Sequence, residues 1–293
     1  MLDAADLTRR IALGTVQFGL DYGISNPDGR VGRDAVAEIF RIARESGIKM
    51  LDTAVSYGSS EAVIGSAMAA GGHDFDIVSK FPPDTTVSDF DATLRGTLER
   101  LGVRQIKAYL AHSFASYTNA GLRERLRRAK NAGLIRQVGV SVYYPHQIAW
   151  LLDEDVPCDV VQLPFSVFDQ RFRPLLGRMK ARGVEIHVRS VFLQGLFFVT
   201  PDALSAHFDR VKERLGSIQK LCENREIPLA ALLLDYAAFQ PEIDRVVIGV
   251  ARPEELCQNV GATCYAAQVR ELMPLLDGMA VSDEEIILPY NWR

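Results

Sequence analysis

A carboxylate and a phenol are unusually placed in the segment Ile48–Gly58. Its apolar first half predicts a buried strand that ends at Asp52, and Tyr57 follows in a short turn. A buried strand does not need a carboxylate at its end, and an exposed turn does not need a phenol. Together the two groups could transfer protons in a reaction. An Asp that caps the next helix and a Tyr packed on a loop would explain this stretch equally well.

Two further predicted strand ends carry titratable groups. Lys80 ends the run Phe75–Lys80, and His112 ends the run Ile106–His112. A lysine that leaves a buried strand is costly to desolvate unless it is paired, and Asp52 on the neighbouring strand offers a partner. Taken singly, the lysine could reach solvent and the histidine could be a hydrogen-bonded core residue. The four groups as a set indicate an active site.

The elements that would position these groups are short β-like runs alternating with helical patterns. The predicted strands are Arg10–Gly14, Ile48–Leu51, Asp76–Ser79, Ile106–Ala111, Ile135–Val140, Val160–Leu163, Glu185–Val188 and Arg245–Ile248. The predicted helices are Asp34–Ser46, Ser60–Ala70, Val87–Leu101, Ala120–Ala132, Pro145–Leu152, Pro174–Arg182, Ser205–Glu223, Leu229–Phe239 and Pro253–Val260. Such alternation is typical of a parallel sheet. Eight units predict an α/β fold, a (β/α)8 TIM barrel, as a single domain over residues 1–293.

An open doubly wound sheet is the alternative fold. It would require a Gly-x-Gly-x-x-Gly turn after the first strand, and Leu13–Gly19 lacks that spacing. In a barrel, by contrast, the reactive groups sit at the carboxyl ends of the strands and converge on one mouth. The residues at those ends are Asp52, Lys80, His112, Ser141, Gln162, Ser190 and Gly249. The C-terminal segment Ile286–Arg293 is predicted to be a tail laid over the barrel.

Composition excludes several classes of protein. The 293 residues are 48% hydrophobic and carry a net charge of −4, with no basic stripe, which argues against nucleic-acid binding. The four cysteines contain no Cys-x-x-Cys pair, so we predict no metal site. The N-terminus lacks the basic and apolar regions of a signal peptide, and no apolar run approaches the ~20 residues of a membrane span. We therefore predict a soluble, cytoplasmic protein that acts on a small molecule.

The ordered motifs of the chain resemble the aldo-keto reductase family, from Ile11 to about Ala262. The residues that carry the resemblance are Asp52-Thr53-Ala54, Tyr57-Gly58, Ser60-Glu61, Ile64-Gly65, Ser79-Lys80, His112, Gly139-Val140-Ser141, Gln162, Gln194-Gly195-Leu196 and Asn259. The resemblance implies a (β/α)8 barrel that binds a nicotinamide dinucleotide without a Rossmann domain. It also implies hydride transfer to or from a carbonyl group.

Physical chemistry gives each member of the catalytic set a role. A free tyrosine has a pKa near 10, so it is a reluctant acid at neutral pH. We expect Lys80 to lower the pKa of Tyr57, and Asp52 to hold Lys80 charged and in place. His112 would donate a hydrogen bond to the substrate oxygen and orient it.

The resemblance also assigns cofactor-binding residues. These are Gly14, Thr15, Val16, Asp52, Ser141, Gln162, Arg189, Ser190, Leu193, Gly195, Gly249, Arg252, Glu255, Gln258 and Asn259. The first three resemble the segment beside the nicotinamide ribose, and Ser141 and Gln162 match the residues that hold the carboxamide. The segment Ser190–Gly195 resembles the loop over the pyrophosphate, and Gly249–Asn259 the adenosine end.

Two positions depart from the family pattern. Arg189 stands where an aromatic residue often stacks on the nicotinamide. Its charge would disfavour the oxidised cofactor or bind an acidic substrate, unless a salt bridge elsewhere occupies it. Glu255 stands where many members place an arginine for the adenosine 2′-phosphate, and Arg252 on the same helix face could replace that arginine. We favour NADP(H), and NAD(H) stays open because a carboxylate can accept a ribose hydroxyl.

The predicted substrate pocket is more polar than a pocket that binds an apolar ketone would be. Its lining residues are Tyr22, Phe81, Phe114 and Tyr143, with Val16, Tyr144 and Phe192 as further candidates. We therefore expect a sugar-like or otherwise hydroxylated aldehyde or ketone, reduced to an alcohol. Two other classes remain as alternatives: a subunit that binds the nicotinamide cofactor and senses redox state with little turnover, and a barrel lyase or isomerase that needs no cofactor.

Overall fold

Eight parallel strands close into a barrel in the computed structural model, which describes residues 4–23, 26 and 29–292. The strands are β1 Ile11–Gly14, β2 Met50–Asp52, β3 Asp76–Phe81, β4 Ile106–Ala111, β5 Ile135–Ser141, β6 Val160–Pro164, β7 Glu185–Arg189 and β8 Arg245–Gly249. Each strand pairs with its neighbours in sequence, and β1 pairs with β8 to close the circle. The predicted (β/α)8 barrel is confirmed, and the open doubly wound sheet is wrong.

Helices surround the barrel in the order that the sequence predicts. They are α1 Ala4–Arg10, α2 Arg33–Glu45, α3 Ser60–Gly71, α4 Phe90–Leu101, α5 Phe114–Thr118, α6 Ala120–Asn131, α7 Pro145–Asp153, α8 Arg173–Ala181, α9 Asp209–Arg225, α10 Leu229–Ala238, α11 Pro253–Gly261, α12 Ala266–Asp277 and α13 Glu284–Ile287. The sequence analysis missed α1, α5, α12 and α13. Helix α12 contains Pro274, which disguises the helical pattern in the sequence.

Amphipathic patterning explains why the helices pack on the barrel. In α2, Val36, Ile39, Phe40 and Ala43 recur at helical spacing and are fully buried. The helix ends at Glu45, and Gly47 then takes a φ of +81° that a residue without a side chain adopts at little cost. The chain can thus turn sharply and enter β2.

Alternate residues of each strand point into the barrel, because successive side chains of a strand point to opposite faces. The inward residues include an apolar cluster of Ala12, Met50, Val78, Ala108, Leu110, Val160 and Val247. Two residues further along β2, β3 and β6, the same face presents Asp52, Lys80 and Gln162. Asp52, Lys80 and Gln162 thus lie at the carboxyl ends of their strands, while Glu185 at the start of β7 binds Lys107, Gln137 and His187 in a second polar network.

The C-terminal segment packs back onto the barrel. Ile286, Ile287 and Leu288 are buried, and the indole nitrogen of Trp292 donates to the carbonyl oxygen of Ile286. The predicted tail over the barrel is thus anchored by a short helix, and Arg293 lies outside the described residues. So do Ile24, Ser25, Pro27 and Asp28 of the predicted Gly19–Gly32 loop. Across the part of the chain that the structure describes, every helix is too short or too polar to cross a bilayer.

Candidate active site

A buried ion pair joins the ends of β2 and β3. The ammonium of Lys80 lies 2.7 Å from a carboxylate oxygen of Asp52 and donates to the carbonyl oxygen of Thr53 at 2.9 Å. The Lys80 side chain is 0% exposed and that of Asp52 is 5% exposed. Parallel neighbouring strands bring the two residues together, as the sequence analysis expected. Burial lowers the pKa of Lys80, and the Asp52 carboxylate opposes that shift.

A third strand completes the support of Asp52. The side-chain amide of Gln162 donates to the second carboxylate oxygen at 2.7 Å. Each oxygen of Asp52 therefore has its own donor, which is the condition under which a buried charge is tolerated. The sequence analysis assigned Gln162 to the cofactor carboxamide and missed this hydrogen bond, because it joins residues 110 positions apart.

Tyr57 lies over this pair, beside His112. The ammonium of Lys80 is 5.3 Å from the centroid of the phenol ring, and the imidazole of His112 meets the ring edge-on at 5.8 Å between centroids. The four groups predicted from the sequence thus converge on one mouth. They are Asp52, Tyr57, Lys80 and His112.

The direction of the Tyr57 pKa differs from our expectation. Burial of the phenol raises its pKa, and the negative charge of Asp52 raises it further, against a smaller opposing effect of Arg189. The sequence analysis expected Lys80 to lower this pKa. That expectation is wrong for the net shift, because burial of the phenol and the charge of Asp52 outweigh the nearby positive charge. The hydroxyl therefore keeps its proton at neutral pH, and it is a weak acid unless its phenolate is stabilised.

His112 is a neutral imidazole at physiological pH. Burial lowers its pKa to about 4, and the positive charges of Lys80 and Arg189 act in the same direction. Its Nδ1 atom is buried and has no hydrogen-bond partner among the described residues. A neutral ring still offers one N–H, so the residue can orient an oxygen without supplying a full charge.

Close backbone contact fixes the turn that carries Tyr57. A Cβ atom at Gly19 would collide with the carbonyl oxygen of Tyr57 and the amide nitrogen of Ser60. The Ser60 hydroxyl donates to the carbonyl oxygen of Thr15 at 2.8 Å and lies 3.1 Å from the Thr53 hydroxyl. The segment after β1 is therefore held against the turn that carries Tyr57. The sequence signal for this contact is the pair Gly19 and Ser60, which the sequence analysis did not connect.

Two glycines stand at the strand ends where the resemblance places the nicotinamide end of a dinucleotide. Gly14 and Gly249 are register partners at the ends of β1 and β8, so two neighbouring inward positions carry no side chain. A Cβ atom at Gly249 would collide with the side chain of Gln17. The side-chain carbonyl oxygen of Gln17 is buried and has no partner among the described residues. The Gln17 side chain thus lies over Gly249 with an unsatisfied oxygen, which an amide group on a bound ring would satisfy.

The remaining cofactor candidates differ in whether their side chains could contact a ligand. The Thr15 hydroxyl donates to the carbonyl oxygen of Asp52, and the Leu193 side chain is fully buried, so neither side chain is available to a ligand. Ser190, Leu193 and Gly195 have φ angles of +63°, +44° and +96°. These left-handed residues curve the loop sharply after β7. Ser141 and Gln162 are register partners, as the predicted carboxamide site requires.

The predicted adenosine end is occupied by an ion pair. The Glu255 carboxylate accepts the backbone N–H of Ala251 at 2.8 Å and lies 3.1 Å from a guanidinium nitrogen of Arg252. Glu255 therefore turns back onto the first turn of α11 and neutralises Arg252. Gln258 is exposed and Asn259 is buried on the same helix.

Arg189 is positioned by aromatic and backbone contacts. Its guanidinium carbon lies 4.2 Å from the ring centroid of Tyr143. It donates to the carbonyl oxygen of Val142 at 3.1 Å and to the Ser190 hydroxyl at 3.3 Å. No carboxylate of the described chain pairs with it, so the alternative of a salt bridge elsewhere is not met.

Two of the four predicted pocket residues, Tyr22 and Tyr143, contact Gln194 or Arg189, and the contact of Phe114 with Trp150 does not place it at the mouth. Tyr22 accepts a hydrogen bond from the Gln194 amide at 2.9 Å, Phe114 packs edge-on against Trp150, and Tyr143 lies under Arg189. Phe81 is different. It is fully buried and packs against Phe90 of α4 and Tyr109, which places it between the barrel and its helices. Lys80 points inward, so the next residue must point outward, and we remove Phe81 from the pocket.

The sequence analysis missed one aromatic residue near the mouth. Tyr290 meets the ring of Tyr143 edge-on, with centroids 5.2 Å apart, and its hydroxyl bonds to that of Tyr144. The tail thus extends the wall formed by these residues. Only the aromatic character of the tail hinted at this contact.

Comparison with known proteins assigns the fold to a family. The model of the aldo/keto reductase family matches residues 10–272. Pyridoxal 4-dehydrogenase of Microbacterium luteolum is 24% identical to the chain, over 85% of this chain and 88% of its own length. The NADH-specific methylglyoxal reductase of Escherichia coli is also 24% identical, over 89% of this chain and 92% of its own.

A solved structure agrees with the same architecture. The holo form of an aldo-keto reductase from Bacillus halodurans superposes with a TM-score of 0.74 at 19% identity, covering 94% of both chains. At this identity the likeness establishes the barrel. Function must be argued from the groups at the mouth.

Proposed function

The chain belongs to the aldo/keto reductase family of oxidoreductases, which act on carbonyl compounds, and we propose that it reduces an aldehyde or ketone to an alcohol with NADPH or NADH. One observation carries the proposal: Asp52, Tyr57, Lys80 and His112 meet at one mouth although they come from three strand ends and a turn. A purely structural barrel would have no need to bury this set, because each member is costly to desolvate.

In the proposed reaction, the bound nicotinamide supplies a hydride to the carbonyl carbon. The chain's own residues act on the carbonyl oxygen. Tyr57 holds its proton at neutral pH and delivers it to that oxygen. His112, as a neutral hydrogen-bond donor, orients the oxygen towards the phenol.

Lys80 and Asp52 act on the phenol rather than on the substrate. As the phenol loses its proton, negative charge develops beside the Lys80 ammonium, 5.3 Å from the ring centroid. A cation held in place before the reaction stabilises this charge without reorganisation. Asp52 fixes the ammonium by a 2.7 Å contact and is itself held by Gln162.

The residues that would hold the cofactor are those beside Gly14 and Gly249. Ser141, Gln162 and Gln17 lie at the end proposed for the nicotinamide, and α11 lies at the end proposed for adenosine. We propose NADP(H) as the cofactor, with NAD(H) also accepted. Arg252 supports NADP(H) because it can meet a 2′-phosphate, and its pairing with Glu255 reduces that preference.

This ion pair gives a prediction about cofactor preference. Glu255→Gln should strengthen NADPH binding about tenfold relative to NADH, because it removes a negative charge that competes with the phosphate for Arg252. Arg252→Ala should weaken NADPH far more than NADH. Dissociation constants for both cofactors, from quenching of protein fluorescence, measure the two ratios. Unchanged ratios in both variants would show that α11 does not bind the 2′-phosphate.

A panel of aldehydes and ketones, assayed with each reduced nicotinamide, tests the activity itself. The panel includes hydroxylated sugars, pyridoxal and methylglyoxal, the last two because relatives are named for them. We expect loss of the near-ultraviolet absorbance of the cofactor with at least one class. Tight cofactor binding without turnover of any reactive aldehyde would favour the redox-sensing alternative. Absence of cofactor binding would favour a lyase or isomerase.

A further inference from the structure

Arg189 carries a positive charge at the mouth that no carboxylate in the described part of the chain neutralises. The guanidinium donates to the Val142 carbonyl and the Ser190 hydroxyl, and its face lies on the ring of Tyr143. These contacts fix its position and leave its charge uncompensated. A partly buried cation without a counter-ion is costly, so an anion that binds beside it gains the energy of an unscreened pair.

The nearby residue Arg171 provides a comparison, because its charge is paired with carboxylates. Arg171 also lies near a tyrosine ring, that of Tyr144, at 5.9 Å from the centroid. Unlike Arg189, it pairs with Asp169 at 2.9 Å and with Glu284 at 3.0 Å. The chain therefore supplies counter-ions where an arginine serves structure, and its described part supplies none at Arg189.

Arg189 lies at the same end of the barrel as Tyr57, Lys80 and His112. The register of β7 supports this position, because His187 pairs with the inward residue Gln162 and Arg189 lies two residues further along the same face. The positive charge of Arg189 opposes the raised pKa of Tyr57 and contributes to the lowered pKa values of Lys80 and His112. Asp52 already neutralises Lys80, and His112 is uncharged at physiological pH. Among the described residues at this end of the barrel, Arg189 is therefore a cation that no carboxylate offsets.

Hydrogen-bonding capacity points to the kind of anion. A guanidinium has five N–H donors, and two bonds to protein oxygens are present. The remaining donors suffice for a two-point contact with a carboxylate or a phosphate, which is the arrangement that guanidinium geometry favours. A neutral hydroxyl would leave the charge unpaired.

Resting on the proposed function, we propose that Arg189 determines substrate specificity by binding an anionic oxygen group, a carboxylate or a phosphate, on the carbonyl substrate. The group would lie beside the carbonyl that Tyr57 and His112 engage. The favoured substrate is then an oxo acid or a phosphorylated aldehyde or ketone, rather than a neutral sugar. Arg189 touches the substrate and leaves the proton transfer to Tyr57.

Matched pairs of substrates test this inference. In the first pair, 4-carboxybenzaldehyde and methyl 4-formylbenzoate share one aldehyde and differ in charge. In the second, glyceraldehyde 3-phosphate and glyceraldehyde differ by a phosphate. We expect the wild-type protein to prefer the charged member of at least one pair by about tenfold or more in kcat/KM. The pair that shows the preference identifies the anionic group.

Variants then connect the preference to one side chain. Arg189→Met keeps a side chain of similar length and should reduce the charged-to-neutral ratio to about one, whatever its effect on the absolute rates. Arg189→Lys should retain part of the ratio because it keeps the charge. Arg178→Met is the control, because Arg178 lies on α8 and pairs with Asp153. It should keep the wild-type ratio.

A binding measurement separates this inference from the proposed reaction. Terephthalate cannot be reduced as an aldehyde, yet it carries the same anionic group, and dimethyl terephthalate is its neutral counterpart. With NADPH present, wild-type protein should bind terephthalate at least tenfold more tightly than the ester, and Arg189→Met should lose this difference. Equal binding of the two compounds by the wild type, or a preference that survives in Arg189→Met, overturns the inference. Failure of every aldehyde to react would overturn only the proposed reduction.

Discussion

Tyr57→Phe should reduce carbonyl reduction by ~10²–10⁴-fold or more and leave cofactor binding intact. The variant removes one oxygen atom and the only proton that we assign to the substrate oxygen. The ring would stay in place, because its contacts with Lys80 and His112 involve the ring rather than the hydroxyl. Steady-state rates and the dissociation constant of NADPH, measured on one preparation, separate the two effects.

Tyr265→Phe is a matched control for this experiment. Tyr265 ends the short helical turn Ala262–Tyr265 after α11, away from the carboxyl ends of the strands. It should keep the wild-type rate. If Tyr57→Phe retained activity within about threefold of the wild type, another group would have to donate the proton, and our assignment of the acid would fail.

Lys80→Met should be the most damaging single change, since it affects both activity and stability. It leaves the Asp52 carboxylate buried without its cation, and breaking a buried ion pair costs ~3–5 kcal/mol in the free energy of unfolding. It also removes the charge that stabilises the developing phenolate. We expect a rate loss of at least ~10²-fold together with a clearly lower midpoint of denaturant unfolding.

A double variant separates the two effects. In Lys80→Met/Asp52→Asn the uncompensated charge is gone, and the carbonyl oxygen of the introduced amide can still accept the hydrogen bond from Gln162. The free energy of unfolding should therefore recover most of the loss, as expected when both members of a buried pair are neutralised. The rate should stay low, because the ammonium is still absent. Recovery of the rate together with stability would mean that the pair serves folding alone.

Strand alternation and barrel closure explain why so much of the site could be predicted. Once β2, β3 and β4 are assigned as neighbouring parallel strands, Asp52, Lys80 and His112 must lie at one rim. The same rule would have excluded Phe81, since it follows an inward residue directly. That error came from selecting aromatic residues near the catalytic set without following the side on which each one lies.

Other features of the site depend on tertiary contacts that no local pattern encodes. Gln162 bonds to Asp52 across 110 residues of sequence, and Tyr290 reaches Tyr144 across 146. The left-handed residues Ser190 and Leu193 after β7 are not glycines, so composition gives no warning of the sharp loop there. The raised pKa of Tyr57 likewise depends on how deeply the hydroxyl is buried, which the sequence does not state.

The ion pair between Arg252 and Glu255 could have been predicted from the sequence, although we did not predict it. Their spacing of three residues at the start of a helix places them side by side, so an ion pair was a foreseeable outcome. We instead considered each residue separately, as a possible contact for the 2′-phosphate of the cofactor. Contacts within the free protein compete with those to a ligand, and this competition sets the weak cofactor preference that we propose.

Isotope transfer tests the central claim most directly. The wild-type protein is incubated with an aldehyde that it consumes and with NADPH that carries deuterium at the reactive C4 position. The account predicts an alcohol with one deuterium on the former carbonyl carbon, formed in equal amount to the oxidised cofactor and lost in Tyr57→Phe. An alcohol without deuterium, or oxidation of the cofactor without any alcohol, would contradict it.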